Sequence, residues 1–208
     1  MLKKHGQLCE HSVPGFSGRL TKAEFDAYAA ILAGITSDVA ELSSIGLTLG
    51  RFEAAIPQLL EKVSSPTSQT LAGPDGGEWQ IIAPFPESAQ GEMLFCKRHL
   101  GQTVEFAVVE HLNPQAPLAQ AQGEFDVQMI ETDPRRLLQD FIIARRDTAQ
   151  LFANDIVAAA HENAAERFPG RDLERVMEAI SQRCNKIAAP ELSRPHGQAR
   201  EQANGVHV

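Results

Sequence analysis

Residues 21–63 read TKAEFDAYAAILAGITSDVAELSSIGLTLGRFEAAIPQLLEKV, and Phe25, Tyr28, Leu32, Ile35, Val39 and Leu42 recur there at alternating steps of three and four. That repeat marks one packed stripe along an α-helix. Thr21 and Glu24 supply the spacing of a capping box at its start. The stripe resumes as Ile45, Leu49, Phe52, Ile56, Leu59 and Val63 after a three-residue slip at Leu42–Ile45, where Ser43, Ser44 and Gly46 lower helix propensity. The pattern predicts a kinked helix or a helix pair over 22–64. Pro57, which has no amide proton, marks either a second kink or the opening of a short last helix.

Upstream, residues 1–20 hold two lysines at the start without an apolar run behind them, so they read as a flexible N-terminus and not as a secretory leader. Downstream, SSPTSQTLAGPDGG at 64–77 reads as a linker. Four strand-like runs then follow: Glu78–Ala83, Glu92–Arg98, Thr103–Leu112 and Glu124–Glu131. Val104, Phe106 and Val108 are assigned to one face of the third, with Glu105 and Glu110 on the other. In the fourth, Phe125, Val127 and Met129 oppose Asp126 and Gln128. A four-stranded antiparallel sheet over 78–131 with one wet face is the expectation.

Thr132-Asp133-Pro134 announces a helix with a capping acid and a first-turn proline. Leu138, Phe141, Arg145, Thr148, Phe152 and Ile156 carry it to Phe168-Pro169-Gly170. Asp172 can cap a last helix striped by Leu173, Val176, Met177, Ile180, Cys184 and Ile187 and stopped by Pro190. Residues 190–208 offer almost nothing to bury and read as a disordered tail. The fold class is therefore α+β: one domain over 21–189, with helices at 22–64, the sheet at 78–131 and a helical pair at 134–189.

The 208 residues carry a formal charge of −8, unevenly spread. Residues 22–131 hold five cations against fifteen acids, a field that repels phosphate backbones and draws basic surfaces, so direct nucleic-acid binding through that part is not expected. No run approaches the ~18 apolar residues of a membrane span. Three cysteines, an odd number, fit a reducing cytoplasm better than a disulfide framework.

Catalytic and metal patterns are weak. His5, Cys9 and His11 cluster in the N-terminus, and Cys96 and His99 lie near one another, but nothing brings either group to the four ligands zinc takes. Glu110 and His111 are strand neighbours that point to opposite faces and cannot share a proton. His161, Glu162 and Glu166 miss the zincin pattern because position 165 is Ala. Arg135-Arg136 and Arg145-Arg146 alternate with Asp133, Asp140 and Asp147 as a salt-laced face. No catalytic residue, metal or cofactor is assigned.

What exceeds the needs of a small core is the length of apolar stripe, and stripes of that kind pair either within the chain or with a second copy. Phe25, Leu32, Val39 and Leu42 are the candidates for self-association as a homodimer. The functional expectation is a non-enzymatic cytoplasmic protein-interaction module, comparable in its physics to small acidic bacterial adaptors, chaperones and inhibitors. Glu105, Glu110 and Asp126 on the wet face of the sheet would meet a basic protein partner, without membrane contact. The alternative is an enzyme or small-molecule binder with a pocket between the sheet and the C-terminal helices, containing His99, His111 or Glu105. Truncation after Pro190 is expected to leave the thermal midpoint unchanged. A loss of several degrees in a calorimetric scan would show instead that the tail is docked.

Overall fold

The computed structural model describes residues 10–67, 69–73, 77–86, 92–112, 125–168 and 173–189. Among these the chain is α+β: β1 (Glu10–Ser12), β2 (Arg19–Thr21), α1 (Lys22–Gly34), α2 (Thr36–Glu61), a 3-10 turn (Lys62–Ser64), β3 (Thr70–Ala72), β4 (Glu78–Pro84), β5 (Glu92–Leu100), β6 (Thr103–His111), β7 (Phe125–Glu131), α3 (Pro134–Arg167) and α4 (Glu174–Ala188).

The capping box forms as its spacing requires: Glu24 N–H donates to Thr21 Oγ1, and Thr21 N–H donates to the Glu24 carboxylate at 2.7 Å. The helix break, however, is earlier than the slip at Leu42–Ile45. α1 ends at Gly34, and α2 leaves Ile35 at 74° to it. Gly34 weakens the last turn, and the Thr36 hydroxyl donates back to the Leu32 and Ala33 carbonyls, satisfying groups that a continuing helix would have used. At the slip the helix continues: its buried face runs on through Leu42, Gly46 and Leu49, with Gly46 taking the position between the two aliphatics, and the Ser43 hydroxyl donates to the Val39 carbonyl at 2.7 Å. Pro57 lies inside α2, which runs on to Glu61.

α2 and α3 form an antiparallel spine with a different core at each end. At one end Tyr28, Ile31, Val39, Leu42 and Leu49 pack with Ala149, Ala153, Ile156, Ala160 and Ala164 of α3 and with Val176, Ile180 and Cys184 of α4. The C-terminal half of α3 is thus buried through alanines and Ile156, while Thr148 is exposed, since side chains that end at Cβ let helices approach closely. At the other end Phe52, Leu59, Leu137, Leu138, Phe141 and Ile142 lie on the sheet against Phe85, Phe95, Phe106 and Val108. The rings of Phe52, Phe85 and Phe141 sit 5.1–6.3 Å apart, within the range of favourable aromatic packing. Between the two cores an Arg146–Glu53 ion pair ties the helices together.

The sheet has five strands in the order β3-β4-β5-β6-β7, every pair antiparallel. Its fifth strand, β3, lies in the stretch read as a linker, and the β1–β2 hairpin lies in the stretch read as a flexible N-terminus. Gly15, in the turn of that hairpin, has φ +87°, and a Cβ there would come within 3.2 Å of Arg183 Cα on α4. Only glycine allows the hairpin to lie so close.

The expected wet face is the largest correction. Both faces are apolar. The face away from the helices carries Leu71, Trp79, Ile81, Leu94, Cys96, Ala107, Val109 and Phe125, all buried, and Val127. Two bulges divide edge-ward strands between the faces. Ile81 pairs Cys96 and Ala83 pairs Phe95, so Ile82 is an extra residue. Val109 pairs Val127 and Val108 pairs Met129, so Gln128 is another. Trp79 and Ile81 consequently face one way and Ala83 and Phe85 the other, and Met129 leaves the face of Phe125 and Val127 for the helix side.

Val39 and Leu42 are buried in the chain's own four-helix core, and Phe25 and Leu32 pack half-buried against it. Within one chain, Val39 and Leu42 of the self-association stripe are covered and Phe25 and Leu32 keep part of their surface exposed. Leu32→Glu with Val39→Glu is expected to unfold the protein, because burying carboxylates without partners costs several kcal/mol. Circular dichroism and light scattering would check this. A folded double variant of lower mass than the wild type would show that the stripe joins two copies.

Candidate functional site

The three acids expected to gather on one face are separated. β5 and β6 pair without interruption from Glu92–His111 to Leu100–Thr103, so alternation along β6 is strict. Glu105 shares the outer face with Ala107, Val109 and His111, whereas Glu110 shares the helix-side face with Phe106 and Val108. Glu105 is also neutralised: the Arg98 guanidinium donates to its Oε2 at 2.9 Å from both Nε and Nη2, and stacks 4.3 Å from the centre of the Trp79 ring. Arg98 holds its place by this cation–π contact as much as by charge.

Glu110 and Asp126 do come together. They are directly opposite on β6 and β7. The Gln128 amide, placed beside them by its bulge, donates to Glu110 Oε2 at 3.0 Å and to Asp126 Oδ2 at 2.9 Å. No cation pairs with either among the described residues. Like charges directly opposite on neighbouring strands disfavour the pairing, and an amide bridge relieves only part of that. Glu131, at the end of β7, accepts the Thr132 N–H at 2.9 Å and lies 3.6 Å from Arg136. The backbone N–H first, and the guanidinium with it, holds this carboxyl below the usual range. Ile130, on the other face of β7, and Leu112, next after the end of β6, are 45% and 60% exposed.

Among the described residues, His111 and Glu105 of the alternative reading do not lie between the sheet and the C-terminal helices. Glu105 and His111 sit on the outer face, His99 is exposed near the end of β5, and the space between sheet and helices is filled by the aromatic cluster described above. Cys96 and His99, three positions apart on β5, point to opposite faces. Burial pushes the Cys96 thiol up to about 12 and raises that of Cys184, favouring the protonated form of both. Among the described residues no three His, Cys, Asp or Glu side chains gather as a metal site. His5 and Cys9 lie outside them, as does Asp172. His11 stacks on Phe25 at 4.7 Å. A groove of ≈ 230 Å³ at the α1–α2 bend, lined by Ile31, Ile35, Asn163 and Arg167 among others, lies far along α3 from the sheet.

The sequence hid two features here. Gln128 carries no signal as a bulge residue, since a bulge is defined by the partner strand. His111 is 1% exposed and, among the described residues, neither ring nitrogen has a hydrogen-bond partner; its ring stacks 4.9 Å from Phe125. Comparison of the chain with family models, with curated proteins and with solved structures finds no match. Among the described residues no single helix is long and apolar enough to cross a membrane.

His111→Leu is expected to hold or raise stability by about 1 kcal/mol. It removes a buried group without partners, worth about 1–3 kcal/mol, against a lost ring stack of about 0.5–1.5 kcal/mol. Urea denaturation gives the sign, and a clear destabilisation would show that His111 has a bonding partner in solution.

Proposed function

We propose that the protein is a non-enzymatic cytoplasmic interaction module, of adaptor, chaperone or inhibitor type, that docks a basic partner on an acidic, partly apolar rim. The observation that carries this reading is the juxtaposition of Glu110 and Asp126, bridged by Gln128 and, among the described residues, without a cation of their own. A pair of carboxylates held opposite each other costs the isolated fold some stability. A lysine or arginine from a partner relieves that cost on arrival, so the free energy is recovered in the complex. Ile130 and Leu112 supply the apolar margin that slows dissociation. Glu105, already paired with Arg98, is not part of the proposed surface.

The acid-rich stretch 22–131 steers the approach. Association with a basic partner is expected to slow steeply between about 0.05 and 0.5 M salt, as the Debye length falls from about 14 Å to about 4 Å, while dissociation changes little. Asp126→Lys separates stability from function. Placed opposite Glu110, the lysine should stabilise the free protein by about 0.5 kcal/mol and weaken partner binding. Thermal unfolding and surface-plasmon kinetics measure the two effects. A stabilised variant that binds a basic partner as well as the wild type would remove the acidic rim as the docking surface, as would an association rate indifferent to salt.

A further inference from the structure

β7 is the last strand of the sheet and pairs on one side only, with β6. Alternate residues of such a strand direct their N–H and C=O groups away from the sheet, and among the described residues no other element bonds to them. The opposite edge, β3, offers just three residues. We infer that the free edge of β7 receives an extended segment of a different protein, alternating basic and apolar residues, as a sixth strand. The inference rests on the acidic-rim reading and specifies how its partner is held.

The side chains of β7 select such a segment. On the helix-side face stand Asp126 and Glu131, with Glu110 behind Asp126, and on the other face stand Val127, half-buried, and Ile130, 45% exposed. The strand Phe125–Glu131 contains no cation. An added strand would set its cations beside the acids and its apolar residues over Val127 and Ile130, because its own side chains alternate with the same period. A second copy of this chain fits poorly: two β7 strands edge to edge bring four carboxylates into one short pairing, with only the Arg136 that already lies against each Glu131 to offset them. Acidic edges keep copies apart, as charged edge strands generally do, while leaving a basic strand admitted. The bulge at Gln128 limits the pairing to a short run on either side of it.

The test uses the full chain and a fluorescent peptide, acetyl-Lys-Val-Lys-Val-Arg-Val-Lys-amide. Two N-methylated versions accompany it, one methylated at the valines and one at the cationic residues. Both keep the charge and the side chains, but in an added strand only alternate amides donate to the sheet, so one version must lose those bonds. The parent peptide is expected to bind and to slow hydrogen exchange at alternate β7 amides, and one methylated version to bind at least tenfold more weakly. Equal affinity of all three peptides, or no binding of the parent at about 1 mM, would overturn strand addition. If Asp126→Lys still weakened the three equally bound peptides, the acidic rim would stand without it. If Asp126→Lys changed nothing, the rim would fall as well. A wild type that dimerises with exchange protection along β7 would replace the basic segment by a second copy.

Discussion

Everything else in the structure hangs on the antiparallel contact of α2 with α3. Neither end of the molecule holds enough apolar surface alone: the four-helix end has short α1 and α4, and the sheet needs a cover for one face. Two helices of 26 and 34 residues, the longer about 50 Å at ~1.5 Å per residue, run through both ends and lend each a flank. The ion pair of Glu53 and Arg146 sits where the two cores meet, between Leu49 and Ala149 of one and Phe52 and Ile142 of the other. Because the cores share this pair of helices, loss of one end exposes the helix surface that supports the other.

The helical stripes were legible because large aliphatic side chains at steps of three and four have only one economical arrangement. Tyr28, Val39, Leu42, Val176 and Ile180 are where their spacing puts them. Strands β4 to β7 were legible by composition, within a residue or two at each end. What composition does not carry is phase. A run such as Thr103–His111 with apolar residues on both faces has no alternation to read, and bulges at Ile82 and Gln128 move side chains across the sheet without changing their order in the chain. The buried alanines of α3 were silent for another reason, since alanine suits core and surface equally. The short pairings β1–β2 and β3–β4 depend on contacts with distant residues, as Thr67 bonding the Ile81 carbonyl at 2.6 Å illustrates.

The charge of the chain is better understood by its arrangement than by its sum. Arg98, Arg136, Arg146 and Arg175 each lie against a carboxylate, and Lys97 donates to the Val63 carbonyl at 2.8 Å, tying the 3-10 turn after α2 to the sheet. These cations are thus engaged within the chain, while Glu110 and Asp126 have no cation beside them among the described residues. The candidate site was half legible in these terms. Glu110 and Asp126 were both visible as strand acids, but their union depended on register, and the separation of Glu105 from them followed from a count of five positions along a regular strand.

The extra residue in β4 has a further meaning for how such a fold can change over time. Odd-numbered residues that serve one core before Ile82 and the other after it need a change of side between them, and substitution cannot supply it, because exchanging one side chain for another leaves the parity of every later position intact. Only the gain or loss of a residue does so. Ile82 therefore behaves like a frame marker: with it, Trp79 and Ile81 belong to one interior and Ala83 and Phe85 to the other. Sequences descended from this one can vary each of those side chains separately within the limits of size and polarity, yet the number of residues between Trp79 and Phe85 is held by both interiors at once.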